Sequence, residues 1–327
     1  MSADLVVGVD VGSQGTCAQA IAADGTTVAT TYVPHALSVP QPGWAEQDPR
    51  EWLGAVVRAL TEVRRSVDGR PLRAISFGSQ LDGLVGAAAD GSPTGQALIW
   101  MDRRAAVECD QVTGQLEPDR LRELTGCNLD PGHVAAKIAW LRRHRPREYA
   151  AARWFLLPGS FVAWHAAGEL AVDPSNASSS MLFDIRTRGW SEEVCAAFGV
   201  EIEKLPPIQP AHLVLGPVAP WLRNAAGLDG STLVVLGCGD EMAATLGAGV
   251  IEPDRVRRAG NSRTRLCRGL RTSARSRLRH RGAPSREPGR LAPGEPRMAL
   301  RRGISLVSRR ARGRRAGPRR GNRRRRL

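Results

Sequence analysis

Asp240 stands between the apolar run "STLVVLGCG" and the alanine-rich stretch "EMAATLGAG". A carboxylate at such a strand-to-helix junction has two ordinary uses. It can cap the helix N-terminus, or it can sit beside a substrate hydroxyl and accept its proton as a general base. The small neighbours Gly237, Gly239, Ala243 and Ala244 leave room for a substrate there. A second stretch, "GVDVGSQGT" (residues 8–16), joins two strand-like runs by a tight polar turn. Backbone N–H groups at Gly12, Ser13, Gln14 and Gly15 can converge on an anion, and the small residues let a phosphate approach closely. Asp10, at the strand end, can hold magnesium through water. A plain hairpin is the competing reading. The stretch is neither a Walker A motif nor GxGxxG, both of which place a helix after the glycines.

Two further stretches carry polar groups at turns. "SFGSQLDGLVGAAADG" puts Gln80 and Asp82 between two strands, where they can bond the hydroxyls of a polyol or simply face water. "WMDRRA" sets Asp102 and Arg103 at a strand-to-helix junction, and an Asp N-cap is the simpler assignment.

The elements that must position these residues follow from periodicity. The opening "DLVVGVDVGSQGTCAQAIAADGTTVATTYV" reads as three strands separated by turns, one of them at Asp24-Gly25. "EQDPREWLGAVVRALTEVRRS" has Trp52, Val56, Leu60 and Val63 at helical spacing, with Asp48-Pro49 as its start signal. "LRAISFGS", "GLVGAAADG" and "QALIWMD" are expected strands, and segments 103–113, 118–125 and 134–143 are expected helices. A long connection over 206–220 precedes the strand "STLVVLGCGD". This order predicts an α/β fold, a sheet with helices packed on it.

The formal net charge of +15 is unevenly placed. Residues 257–327 hold 26 arginines, no lysine and only two acids, Glu287 and Glu295, so the preceding part has 21 basic and 30 acidic residues. The basic character that points toward nucleic acid therefore belongs to the end of the chain alone. That end contains no Phe, Trp or Tyr to stack on bases, and its Arg, Gly, Ala, Pro and Ser cannot bury enough apolar area to offset ordering. It reads either as an arginine-rich arm or as a wrong-frame translation of a GC-rich gene. The complete lack of lysine favours the latter. No apolar run is long enough to span a membrane, and "MSADLVVGVD" has no positive n-region. The six cysteines show no CxxC or zinc spacing and are expected to be reduced, mostly buried thiols of a cytoplasmic protein.

Taken in order, "GVDVGSQGT", "PGWAEQDPREWL", "GSQLDGLV", "ALIWMDRRA", "PGHVAAKIAWLRRHRP", "FLLPGSFVAWHAAGELAVDPSNASSSMLFDIRTRGWS" and "GCGDEMAATLGAGV" resemble the FGGY family of carbohydrate kinases, nearest to its xylulokinase-like members. The resemblance implies an actin-like (ribonuclease-H-like) ATPase domain, the N-terminal half of a two-domain sugar kinase, over residues 1–256. Residues 257–327 are then an out-of-frame, disordered tail. It also implies transfer of the γ-phosphate of Mg-ATP to a sugar or polyol hydroxyl. Asp240 matches the catalytic base. Asp10, Gly12, Ser13, Gln14, Gly15 and Thr16 match the phosphate-binding hairpin, with Asp10 on the metal side. Gln80, Leu81 and Asp82 match the sugar-contacting turn, joined by Asp240 and Glu241.

There are three departures from the family pattern. Leu81-Asp82 stands where xylulokinases usually have Met-His, Glu241 where Asn is common, and the resemblance ends near "AGNS" (259–262), before the adenosine-binding second domain. Little phosphotransfer is expected without that domain. The alternative is a non-catalytic sugar-binding module whose tail contacts nucleic acid or acidic surfaces.

Overall fold

The first strand, β1 (Leu5–Val11), buries Leu5, Val7, Val9 and Val11 and leaves Val6, Gly8 and Asp10 exposed. That period-two alternation puts one face of a strand on the core. β1 belongs to a computed structural model that describes residues 4–249. The arginine-rich segment 257–327, the "AGNS" turn and Cys267 lie outside the described residues.

β2 (Gly15–Ala22) and β3 (Thr27–Pro34) extend β1 as an antiparallel meander. The short β4 (Glu46–Gln47) leads into α1 (Pro49–Ser66). This helix starts where its signal lies: Asp48 accepts a hydrogen bond from the Arg50 N–H at 2.9 Å, and Pro49 occupies the first turn. Trp52, Val56, Leu60 and Val63 are all buried by α1 against the sheet core, as their spacing predicts.

β5 (Leu72–Ser79) then runs parallel to β1. Next come β6 (Val85–Ala87), β7 (Ala97–Leu98), α2 (Ala106–Val112), α3 (Pro118–Thr125), α4 (Val134–His144) and α5 (Pro146–Ala151). β8 (Trp154–Leu156), α6 (Pro158–Ala167), α7 (Pro174–Ser179), β9 (Phe183–Asp184), β10 (Gly189–Trp190) and α8 (Glu192–Phe198) follow. The described part closes with β11 (Val214–Pro217), α9 (Pro220–Ala226), β12 (Leu233–Gly239) and α10 (Asp240–Gly247).

Six strands form the main sheet in the order β11-β12-β5-β1-β2-β3. Its centre, β12-β5-β1, is parallel, and the flanking pairs are antiparallel. One apolar cluster joins this sheet to α1, α6 and α9, including Ile75, Phe77, Phe161 and Leu222. A second joins α2, α3, α4 and α8 around Leu98, Ile138, Phe155 and Phe183. The α/β expectation is met.

Four local expectations need correction. "QALIWMD" and "GLVGAAADG" form strands only at Ala97–Leu98 and Val85–Ala87, because they pair with the short β4 and β8 rather than with the main sheet. The connection over 206–220 contains β11, the sheet's edge strand. Asp102 does not cap a helix; it is fully buried and binds Arg104 at 2.7 Å, and the Ala45 N–H donates to it at 2.6 Å. Arg104 also pairs with Glu46 at 2.8 Å and lies 3.6 Å from the centroid of the Trp44 ring. Finally, of the five described cysteines, Cys109 and Cys195 are buried, whereas Cys17, Cys127 and Cys238 are partly exposed.

Candidate active site

The three parallel central strands bring the chemistry to one sheet edge. Asp10, near the end of β1, lies opposite Gly78 of β5, and Gly239, at the end of β12, lies opposite Ser79. The carboxyl ends of β1, β5 and β12 therefore deliver Asp10, the turn that begins at Gln80, and Asp240 side by side. Such an edge is the usual ligand-binding side of a parallel sheet. A methyl group at Gly78 would lie in ordinary contact, 3.7 Å from Asp10 Oδ1, which places the carboxylate directly beside β5.

Asp240 is the first residue of α10, and the capping position belongs to Gly239. The N-cap reading of Asp240 thus fails; its Oδ1 accepts from the adjacent Glu241 N–H, at 2.8 Å. Desolvation and the nearby charge of Asp82 raise its pKa above the usual carboxylate value. Desolvation and Asp240 raise that of Asp10. Desolvation, Asp240 and Asp82 raise that of Glu241. Asp10, Asp82, Asp240 and Glu241 thus form one acidic group.

The hairpin between β1 and β2 is closed by Gly12 N–H donating to Gly15 O at 3.0 Å, so that N–H is not left for an anion. Thr16 is fully buried, and its hydroxyl has no partner. The hairpin tip is braced from outside: Gln47 Nε2 donates to Ser13 O at 2.8 Å, Trp100 Nε1 to Ser13 Oγ at 3.0 Å, and the His35 N–H to Gln14 O at 3.2 Å. Gln80 is 2% exposed rather than presented to solvent. Its backbone N–H donates to Val11 O at 3.0 Å and its amide nitrogen to Gln47 Oε1 at 2.9 Å, tying the second turn to the first. Its Oε1 has no partner.

Asp82 adopts a left-handed backbone, φ 57°. His133 Nδ1 lies 3.3 Å from its Oδ1. Burial opposes charging of His133, but the hydrogen bond and the charges of Asp82 and Asp130 outweigh it and raise the pKa. Lys137, fully buried, donates to the backbone carbonyls of Asp82, Ile99 and Gly132 at 2.6, 2.8 and 2.5 Å. On the other side, Asp173 caps α7, and Ser175 Oγ accepts the Gly239 N–H at 3.0 Å. Sequence reasoning missed Gln47, Trp100, His133, Lys137 and Ser175. One signal was available: Lys137 lies between Ala136 and Ile138 on the buried side of α4, where a lysine needs dedicated acceptors.

The family model for the N-terminal domain of FGGY carbohydrate kinases matches residues 5–247. The chain belongs to the FGGY family of carbohydrate kinases. It is 28% identical over 252 residues to a xylulose kinase of Escherichia coli (strain K12), covering 77% of this chain and 51% of that one. It is 31% identical over 255 residues to a glycerol kinase of Gloeobacter violaceus, covering 77% and 50%. Among solved structures, the xylulose kinase of Rhodospirillum rubrum superposes with a TM-score of 0.73 at 26% identity, over 76% of this chain and 51% of that one. The chain spans about half the length of the curated relatives it matches. The fold is the actin-like α/β fold of these sugar kinases, as expected. The alternative of a nucleic-acid-binding module gains no support from these relatives. No helix among the described residues is long and apolar enough to cross a membrane.

Proposed function

We propose that this FGGY domain serves ATP-dependent phosphorylation of a sugar or polyol hydroxyl, in the manner of a xylulokinase. The observation that carries the reading is the convergence of Asp10, Asp82 and Asp240 at the carboxyl ends of three adjacent parallel strands. Asp240 takes the role of general base. Its raised pKa makes it a better proton acceptor than an ordinary aspartate once ionised, and it draws the proton from the acceptor hydroxyl as that oxygen attacks the γ-phosphorus. The Glu241 N–H that Asp240 accepts works the other way and lowers it, without cancelling the effect of burial and Asp82. The turn of Gln80, Leu81 and Asp82 faces the acceptor. Asp82 and the free Gln80 Oε1 can accept hydrogen bonds from hydroxyls, and Gln80 also braces the hairpin.

The hairpin of Gly12, Ser13, Gln14, Gly15 and Thr16 lies on the phosphate side. Because Gly12 N–H closes the turn, the donors left for phosphate oxygens are the backbone groups beyond it and the Thr16 hydroxyl, if it turns outward. Asp10 suits magnesium. It is a hard oxygen donor whose charge is disfavoured by Asp240, and a divalent cation relieves that repulsion. No group of three or more ligating side chains surrounds a metal position among the described residues, so the ion would complete its shell with water and phosphate oxygens. Bound there, it would neutralise charge on the transferring phosphate. A cytoplasmic setting, where ATP is available, is part of this proposal.

The test is calorimetric acceptor binding and γ-phosphate transfer over a panel of pentuloses, polyols and glycerol. Asp240→Asn is expected to hold acceptor binding within about threefold and, with the second half of a related kinase supplied so that transfer is measurable, to lower it by about 10²–10⁴-fold. Transfer that survives in Asp240→Asn, or the lack of binding by every neutral sugar and polyol, defeats the assignment.

A further inference from the structure

The sheet register brings one more polar group to the metal side of the site, and its use rests on the phosphotransfer reading above. Asp10 of β1 pairs with Cys17 of β2, and Cys17 pairs with Tyr32 of β3. Paired residues share a face of a sheet. The Asp10 carboxylate, the Cys17 thiol and the Tyr32 phenol therefore form one row, on the face turned away from the apolar core. The row spans two strand spacings, about 10 Å, and Tyr32 at its end is 57% exposed. Its ring leans diagonally toward the hairpin: a methyl group at Gly15 would overlap both the ring and the hydroxyl of Tyr32. Gly15 is buried, and its backbone is not left-handed. The missing side chain there serves the close approach of Tyr32, not the path of the chain.

We propose that the Tyr32 hydroxyl is a phosphate-contacting group, donating to an oxygen of the bound triphosphate on the open flank of the hairpin. The hairpin itself is short of donors. Gly12 N–H closes the turn onto Gly15 O at 3.0 Å, and the Thr16 hydroxyl is fully buried. A phosphate seated over the row has Asp10, the carboxylate suited to magnesium, at one end and an O–H donor at the other. Cys17 between them offers only a weak S–H. An O–H donated to a phosphate oxygen is charge-assisted and therefore among the stronger hydrogen bonds. A ring already resting on Gly15 is preorganised, so little side-chain freedom is lost when the anion binds. The competing role is packing alone, in which the ring shields Gly15 and the hydroxyl is dispensable.

The deciding experiment titrates magnesium tripolyphosphate calorimetrically into the full 327-residue chain and into Tyr32→Phe, with xylulose titrated separately into both. Phenylalanine keeps the ring on Gly15 and removes only the hydroxyl. Tyr32→Phe is expected to weaken tripolyphosphate binding by about tenfold, with xylulose affinity and melting temperature unchanged. A spectroscopic reading on the wild type stands beside it. The chain has two tyrosines, and the other, Tyr149, is buried with its hydroxyl donating to Glu201 Oε1 at 2.8 Å. In tyrosine-labelled protein the Tyr32 ring signal should shift as tripolyphosphate is added, while that of Tyr149 stays fixed. Equal tripolyphosphate binding by the two proteins, or a Tyr32 signal that does not move, overturns the assignment and leaves the hairpin as the phosphate side. Lack of tripolyphosphate binding by the wild type removes the hairpin's phosphate role and this inference with it, and xylulose binding by the same protein then shows that the acceptor side stands.

Discussion

The Lys137 ammonium, sealed from solvent on α4, donates to the backbone carbonyl of Asp82 at 2.6 Å. It thereby fixes the position of a residue whose left-handed backbone, φ 57°, is one that aspartate adopts more readily than most other side chains. The same nitrogen satisfies Ile99 and Gly132, so one side chain couples the turn after β5, the segment after β7 and the loop before α4.

Replacing Lys137 by Met keeps the length and removes the donors. Each orphaned buried carbonyl costs about 1–3 kcal/mol, so the loss is expected to be about 3 kcal/mol or more. Burial pulls the lysine pKa down to about 7. Because that value lies below the unfolded one of 10.5, the unfolded chain binds more protons between the two, and this group's contribution to stability rises with pH across that window. Chemical denaturation at pH 7 and pH 9.5 checks both points: the stability gap between wild type and Lys137→Met should widen at the higher pH. A gap that stays constant shows that the three carbonyls hold the ammonium charged throughout.

The acidic group has the opposite sign. Asp10, Asp240 and Glu241 have folded-state pKa values above their ordinary ones. The folded chain therefore holds more protons than the unfolded chain just above pH 4, and stability is lost as pH rises through the unfolded and then the folded values. Asp10→Asn is expected to melt at a higher temperature than wild type at pH 7 and to lose that advantage near pH 4. Millimolar magnesium should stabilise the wild type at pH 7 and have little effect on Asp10→Asn. Thermal melts at both pH values, with and without magnesium, decide the matter, and a destabilised Asp10→Asn at pH 7 would count against like-charge strain at this edge.

Arg104 is sandwiched where substitution is costly. Its guanidinium is buried against Asp102 and Glu46 and lies over Trp44. Removing one partner of a buried ionic network typically costs about 3–5 kcal/mol, because the remaining charges stay buried. Asp102→Ala is expected in that range by urea denaturation. Arg104→Lys should also destabilise the protein, since a lysine can neither span both carboxylates nor lie flat on the indole.

The parts legible in the sequence were those that local pattern determines. β1, α1 and the strand before Asp240 follow from alternation, from Trp52-Val56-Leu60-Val63 and from the Asp48-Pro49 start. Asp10, Asp82 and Asp240 were visible as carboxylates at turns, and their convergence is what the parallel order β12-β5-β1 adds. Partners far apart in sequence were not legible. Nothing local pairs His133 with Asp82 across 51 positions, or Asp102 with the Ala45 N–H across 57. The same holds for Gln80, whose amide nitrogen donates to Gln47 across 33 positions.

Two glycines of β12 separate folding from function. Gly237 has φ 84°, and a side chain there would run into the Phe77 backbone carbonyl across the bulged β5 pairing. Neither the strand backbone nor the left-handed conformation can yield cheaply, so Gly237→Ala is expected to destabilise the domain by about 2 kcal/mol or more. Gly239 has ordinary φ, −60°, and a methyl there would press first on the Leu81 side chain, at Cδ2 and Cγ, and then, at 3.4 Å, on Ser175 Oγ. Leu81 can rotate away, so Gly239→Ala should cost less than about 1 kcal/mol of stability while shifting the turn that bears Asp82. Its signature is weakened binding of a neutral acceptor in a protein with a near-normal melting temperature. Calorimetry and thermal melts on the pair test the distinction. If Gly239→Ala binds its acceptor as tightly as wild type, Leu81 does not set the position of the acceptor turn.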